Sequence, residues 1–317
     1  MNEFELINTF FKSLSAKRPD VVLGIGDDAA CLCVPIGHDL VVSSDTLVAN
    51  IHFLSDWDAY DIAYKAVMVN VSDIAAMGGD PNWMMLALTL PESDASWLKR
   101  YAEGLYDAMR EFNLALVGGD TTRGPLAMTI CIHGLVPSGK AVTRSGASPG
   151  DIVYVSGPIG AAAQAVAFLD NKSLDANDRT VLMNALMHPK PRVDLNQILL
   201  RYATSAIDIS DGLAADLNHI CEESDVGAIL NLEAIPVHPL VKRYQGDKAI
   251  DFALHGGDDY ELCFTVSEKQ NQAFLCTMAE LGLHCFPVGC IAEEKGMRGK
   301  EKDGTTKTIQ TSGYSHF

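Results

Sequence analysis

The stretch DAYDIAYKAVMVNVSDIAAMGGDPNWMMLALTL, residues 58–90, turns from helix to strand across two glycines. Apolar side chains recur at helical spacing up to Ala76, and Gly78 and Gly79 form a helix stop. NWMMLALTL, residues 82–90, is then an apolar run of strand length. A helix that feeds a buried strand belongs to a mixed α/β or α+β fold, in which each layer hides the apolar side of the other. One acid interrupts the apolar helix. Asp73 follows AVMVNV, where a bare charge is costly to bury, and Asn70, one turn earlier, shares its face. Two readings stand: Ser72 or Asp73 caps a second helix, or Asp73 is a carboxylate aimed at a magnesium site.

Working outward, the upstream runs DVVLGIG, CLCVPI and DLVVSSDTLV read as strands separated by turns at Gly26 and at PIGHD. The start, MNEFELINTFFKSL, reads as an amphipathic helix with Phe4, Ile7, Phe10, Phe11 and Leu14 on its apolar side. Downstream, residues 93–113 form a capped helix, LALVGGDTTRG is a strand running into a glycine loop, and LAMTICIHGLVP is another strand. Composition then shifts at SGKAVTRSGASPGD, residues 138–151, rich in Ser, Gly and Pro. The domain boundary falls near residues 137–149, giving domains 1–137 and 138–317. In the second, DIVYVSG is a strand, PIGAAAQAVAFL a helix, SAIDISDGLAADLNHICEES a strand entering a helix, and FALHGGDDYELCFTV a turn and strand.

At 317 residues the chain suits two domains, since one core stops growing at about 250–300 residues. Hydrophobic residues make up 48% and charged residues 21%, a globular composition. The net charge of −17 argues against nucleic acid, whose backbone calls for a basic surface. An acidic chain can still bind phosphates through metal cations or a local basic group. The acidic, amphipathic start is unlike a signal peptide, and no run reaches the roughly 18–20 apolar residues of a membrane span. A cytosolic protein is expected. The eight cysteines include no zinc-like CxxC pair, and buried reduced thiols are the reading, with Cys31 and Cys33 inside an apolar strand.

Six segments combine Asp with Gly, Ser or Thr, most of them where a strand gives way: GIGDDAA, SSDTL, NVSDIAAMGGD, VGGDTTRG, IDISDGL and HGGDDYEL. Each alone is ordinary turn or cap chemistry. Six of them, with almost no Lys or Arg interleaved, amount to a convergence of acids that is costly unless a cation binds them. In IDISDGLAADLNHI the spacing of Leu213, Leu217 and Ile220 starts a helix near Ser210 or Asp211. Its N-terminus would offer backbone donors to a phosphate, with Asp208 and Asp211 holding the accompanying cations. Ser210 also fits a plain N-cap. Arg123 and Arg144 are either solvated or phosphate-gripping. His52, flanked by apolar residues, is either a satisfied core histidine or a ligand-binding one. These oxygen donors suit magnesium rather than zinc, and magnesium suits polyphosphates. Neither a GxxxxGK[ST] P-loop nor a GxGxxG fingerprint is present.

GIGDDAA, SSDTLVANIHF, AYKAVMVNVSDIAAMGGDP, VGGDTTRGP, TRSGASPGD, SAIDISDGLAADL and GGDDYEL together resemble the thiamine-monophosphate kinase family, of the aminoimidazole ribonucleotide synthetase superfamily. The likeness runs in order from the first helix to the closing GYSHF. It implies a two-domain aminoimidazole ribonucleotide synthetase-like α/β (α+β) fold, in which N-terminal domains pair their sheets into a barrel across a homodimer. It also implies ATP in a cleft that the C-terminal domain completes, and transfer of its terminal phosphoryl to thiamine monophosphate with several magnesium ions. Matched by motif, Asp28, Ser43, Ser44, Asp45, Asp73, Asp120, Asp208 and Asp211 would be magnesium ligands, with Asp28, Asp73 and Asp211 central to catalysis. Gly119, Asp120, Arg144 and Ser210 would contact ATP, and His52, Asp258 and Tyr314 would line the thiamine site. The chain departs from the family at Asp258, where Glu is common, and the C-terminal aromatic varies among members.

The chemistry is consistent with that expectation. A phosphate monoester has a second pKa of about 6, so such an acceptor is already an anion and needs no strong base. Bringing one anion to another is the difficulty, which cations relieve. Two alternatives are a sibling ATP-dependent synthetase of the superfamily and a nonenzymatic magnesium-nucleotide sensor. In GIGDDAA, Asp28 is expected to face the metal, and Asp27 to orient the loop or accept backbone hydrogen bonds.

Overall fold

In the computed structural model, which describes residues 3–14, 18–170 and 174–313, the opening segment is helical but is not one regular helix. Helix α1 (Glu3–Leu6) passes into a π-turn, Ile7–Phe11, and a 3-10 turn, Lys12–Leu14. The wide turn stacks residues five apart, so Leu6 and Phe11 are the buried pair at 3% and 4% exposure. A regular 3.6-residue period could not place both inward. Strands β1 (Val21–Leu23) and β2 (Cys31–Leu32) make a small antiparallel ribbon. Here the cysteine reading needs correction: β2 stops after Leu32, and Cys31, Cys33, Val34 and Ile36 are all exposed. Of the eight free cysteines only Cys221 and Cys263 are buried.

Two compact units follow from the contacts, Met1–Ile74 with Gly79–Lys140, and Ala75–Gly78 with Ala141–Phe317. The first is built on β3 (His38–Val48), α2 (Ala59–Ala76), β4 (Asp80–Leu90), α3 (Ala95–Glu111), β5 (Ala115–Arg123) and β6 (Ala127–Pro137). Its main sheet has the order β3-β6-β4-β5, antiparallel except for the parallel β4/β5 pair. Strand alternation puts Met84, Leu86, Leu88, Ile130 and Ile132 on one buried face. Helix α2 lies there, with the Ile74 side chain filling the space that Gly134 leaves open. The opposite face keeps Leu40, Val42 and Met85 at 43%, 53% and 37% exposure. Helix α3 starts at Asp94, whose carboxylate accepts from the amides of Ser96 and Trp97.

The second unit carries β7 (Ile152–Val155), α4 (Ala161–Ala167), α5 (Ala176–Met187), α6 (Asn196–Tyr202), β8 (Ala203–Asp208), α7 (Leu213–Glu223), β9 (Gly227–Asn231), α8 (Pro239–Gln245) and α9 (Ala249–His255). It continues with β10 (Leu262–Val266), α10 (Glu268–Leu281), β11 (Phe286–Ala292), β12 (Gly296–Lys300) and β13 (Thr306–Thr308). Its seven strands run β13-β12-β9-β11-β7-β10-β8, with only β12/β9 parallel. Alternate residues serve two cores. Val153, Val155, Ile207 and Cys263 join Leu213, Leu217 and Ile220 of α7. Tyr154, Ala206, Leu262 and Phe264 join Leu199 of α6 and Phe274 of α10. Among the described residues no helix is long and apolar enough to cross a membrane.

Helices α2 and α3 cross at Gly104, where an added Cβ would collide with the Tyr60 carbonyl. Gly104→Ala must therefore separate the helices, and the unfolding free energy in urea should fall by about 1–3 kcal/mol. An unchanged midpoint would mean the crossing has slack.

Candidate functional site

In the first unit α2 continues as one helix past Ser72 and Asp73 to Ala76, so neither caps a second helix. Strand alternation on β3 turns Ser43 and Asp45 toward α2 and Ser44 to the exposed face. The Ser43 hydroxyl donates to Asp73 Oδ2 at 2.5 Å, and the Asp45 amide donates to Asn70 Oδ1 at 3.1 Å. Asn70 is itself fixed, its Nδ2 donating to the Ala66 carbonyl at 2.9 Å. Ser43, Asp45, Asn70 and Asp73 are thus one polar group set against an apolar sheet face, and the Ser44 side chain is not part of it.

The other residues of this unit are more open. Asp28 is exposed, and its amide donates to Asp27 Oδ1 at 3.2 Å, so Asp27 does hold the turn. His52 is half-buried in a tight turn where its Nδ1 accepts from the Val48 amide at 3.0 Å. That bond leaves the ring proton on Nε2. On β5 a bulge follows Leu116, and Gly119 takes φ +150°, with its missing Cβ vacating the space of the Leu86 carbonyl. Asp120 comes next, exposed.

In the second unit the IDISDGL and HGGDDYEL segments are laced together. The Ile209 amide donates to the Glu261 carbonyl at 2.7 Å, Asp258 to Ser210 at 2.8 Å and Tyr260 to Ile209 at 2.9 Å. Gly257 lies so close to the Ser210 carbonyl that a Cβ would overlap it. Asp208, Ser210, Asp211 and Asp258 therefore share one pair of crossing loops. Asp258 and Tyr260 adopt left-handed φ of 70° and 52°, conformations that side-chain-bearing residues hold only when the surroundings impose them. Arg144 is exposed; its carbonyl is held by the Ser224 hydroxyl at 3.3 Å. Tyr314 lies outside the described residues, but Gly313 before it packs on Asp211 and Ala215.

The helix expected from Ser210 or Asp211 begins later, at Leu213, after Gly212 with φ 112°. Asp216 is the reason. Its Oδ2 accepts from the amides of Ser210, Asp211 and Gly212 at 3.0, 3.0 and 3.1 Å, which holds these residues as a loop. Ser210 is not the cap, and these three amides are not free for a phosphate. Burial pushes the Asp216 carboxyl up to about 7, against the pull of the three donors.

Sequence reasoning missed this residue because an acid in the first turn of a helix is ordinary. It also missed the acids beside it. Asp259 accepts from the Gly160 amide at 2.8 and 2.9 Å. Glu261 accepts from the Ser156 hydroxyl and from Arg192 Nη1, the latter at 3.2 Å. Burial raises both carboxyls above their ordinary values, and for Glu261 the Arg192 charge works against it.

Could these residues take magnesium? All the donors are carboxylate or hydroxyl oxygens, the right chemistry for that ion. Among the described residues no three His, Cys, Asp or Glu are gathered to hold a metal alone. Magnesium is usually held by one or two carboxylates, with water and substrate phosphates completing its shell. The donor set fits on those terms.

Two family models cover the chain: AIR synthase related protein, N-terminal domain, at residues 26–136, and AIR synthase related protein, C-terminal domain, at residues 148–302. Thiamine-monophosphate kinase of Escherichia coli strain K12 is 46% identical, with 99% of this chain and 98% of that protein aligned. The crystal structure of thiamine-monophosphate kinase from Stenotrophomonas maltophilia superposes with a TM-score of 0.86 at 40% identity, covering 96% of this chain and 97% of that one. AaThiL, solved in complex with AMPPCP and TMP, superposes at 0.80 with 30% identity, covering 99% and 97%. The chain is thus built as an AIR synthase related protein in both halves, and it belongs to the thiamine-monophosphate kinase family.

The Ser43–Asp73 bond sets a test of the first polar group. Ser43→Ala and Asp73→Asn should be non-additive in unfolding free energy, coupled by about 0.5–3 kcal/mol in a double-mutant cycle. Additive losses would show that the two side chains act independently.

Proposed function

We propose that this protein transfers the terminal phosphoryl of ATP to thiamine monophosphate, giving thiamine diphosphate and ADP, and that it does so in the cytosol. The observation that carries this is the full-length likeness to a relative bound to AMPPCP, an ATP analogue, and TMP. The oxygen-donor loops described above support it. Magnesium, when bound, would screen the repulsion between nucleotide and acceptor and hold the reacting groups in line. The remaining work falls to this chain's own residues.

Asp28, Ser43, Ser44, Asp45, Asp73, Asp120, Asp208 and Asp211 are the proposed magnesium ligands; for Ser44, whose side chain faces away from α2, the contribution would be separate from the Ser43–Asp73 group. Gly119, Asp120, Arg144 and Ser210 are assigned to ATP. For Gly119 the lack of a side chain supports the role, since it lets a ligand approach backbone. Arg144, exposed and cationic, suits a phosphate. Ser210 would contact ATP through its hydroxyl, because its amide is engaged by Asp216. His52, Asp258 and Tyr314 are assigned to the thiamine side. The His52 tautomer presents an N–H donor at Nε2. No general base is required of any of them, since the acceptor phosphate is already ionised near neutral pH.

We also propose a homodimer formed through the first unit, residues 1–137, with residues 138–317 as the second domain. The exposed Leu40, Val42 and Met85 on one sheet face support this, because an apolar sheet face is usually covered. Val42→Asp should then reduce the mass in solution from two chains to one, as read by analytical ultracentrifugation. A monomeric wild type would overturn the pairing.

The decisive assay is ADP release from ATP and magnesium, with thiamine monophosphate, with thiamine, or with no acceptor. Release is expected only with the monophosphate, with thiamine diphosphate as product. Release with thiamine alone, or none with a folded nucleotide-bound protein, would defeat the assignment. EDTA should abolish turnover and excess magnesium restore it. Asp28→Asn and Asp73→Asn should each lower turnover by about a hundredfold or more in a folded protein, while Asp27→Asn has a much smaller effect. Equal losses at Asp27 and Asp28 would remove Asp28 from the metal set.

A further inference from the structure

The loop between β8 and α7 has the form of an anion-binding turn, yet its anion comes from the chain itself. Three consecutive amides, those of Ser210, Asp211 and Gly212, converge on a single oxygen of Asp216. Asp216 is 2% exposed and sits in the first turn of α7, its own amide donating to the Gly212 carbonyl at 3.0 Å. The loop is therefore closed by four hydrogen bonds to one residue. Gly212 can adopt φ 112° there because it has no side chain, and a Cβ would press on the carbonyls of Leu254 and Gly256.

We infer that Asp216 is a positioning residue for metal binding: by occupying the 210–212 amides it fixes the backbone that carries Asp208 and Asp211. The inference rests on the proposed function only in taking those two aspartates as ligands for magnesium. It differs from a purely structural role in what depends on it. Asp208 precedes the loop as the last residue of β8, and Asp211 is within it, so rotation of the loop peptides would re-aim both carboxylates. Free amides would also compete for the same negative charge the metal must meet. A carboxylate bound to them removes that competition and leaves the neighbouring acids to the cation.

The test uses the full-length protein with manganese(II) as probe, titrated in the presence of a non-hydrolysable ATP analogue, with free metal read by electron paramagnetic resonance. Asp216→Ala should weaken manganese binding about ten- to hundredfold, the usual effect of losing a residue that orients a ligand. Asp216→Asn keeps a carbonyl oxygen for the amides and should recover most of that loss. Wild-type manganese affinity in a folded Asp216→Ala protein would overturn the inference.

A second measurement needs no variant. Hydrogen exchange at the amides of 210–212 in the wild type should be slow without nucleotide. Fast exchange that slows only when metal and analogue are added would assign the amides to the nucleotide and overturn the inference. Absence of thiamine monophosphate-dependent ADP release in the wild type would count against the kinase reading alone, because neither readout here involves turnover.

Discussion

Carboxylates withdrawn from water must be answered by donors, and the ends of β8 and β10 are organised around that requirement. Asp208 ends β8, Asp259 and Glu261 come just before β10, and Asp216 reaches back from α7 to the loop that follows β8. An unanswered buried carboxylate would cost several kcal/mol or take up a proton. The chain answers Asp216 and Asp259 with backbone amides and Glu261 with a hydroxyl and a guanidinium. Each answer ties a loop to something rigid. This is what lets Asp258 and Tyr260 keep left-handed conformations, which cost about 1–3 kcal/mol each when nothing enforces them.

The first unit meets the same demand with side chains instead of amides. Helix α2 has no spare backbone donors in its interior, so Asp73 accepts from the Ser43 hydroxyl of β3, and Asn70, one turn back, accepts from the Asp45 amide of the same strand. Asn70 works in both directions, donating to the helix's own Ala66 carbonyl and accepting from the Asp45 amide. The strand and helix are held in register by polar contacts at the point where apolar packing would tolerate sliding. The proposed metal residues Asp45 and Asp73 are therefore placed by the elements that build the unit.

Most of the fold was legible where periodicity is strong. The helix over residues 59–76 and the strand over 80–90 follow directly from their apolar patterns. What was illegible depended on a single distant partner or on the absence of neighbours. The π-turn at Ile7–Phe11 shifts a helical period by one residue, which a pattern of phenylalanines cannot reveal. Cys31 and Cys33 have strand-like neighbours, but their ribbon is too short to be covered. Of the candidate site, the acidic turns themselves were visible as a recurring composition. That Ser210 is not a cap was hidden, because the acceptor that displaces it lies six residues on, in Asp216.

That displacement bears on how a chain with net charge −17 could hold a polyphosphate. Helix N-termini commonly bind phosphate directly through their amides. Here the amides of 210–212 are already satisfied by a carboxylate, and the acids beside them repel a nucleotide. On the proposed reading, nucleotide and cation must then arrive as partners, since each acid that opposes the phosphate alone becomes a ligand when magnesium accompanies it. Selectivity for the metal complex over free ATP follows from the same feature that makes the loop rigid. Without cations the acids remain to repel a phosphate, and Arg144 is the cationic side chain assigned to attract it. On that reading the site couples nucleotide binding to metal supply through electrostatics.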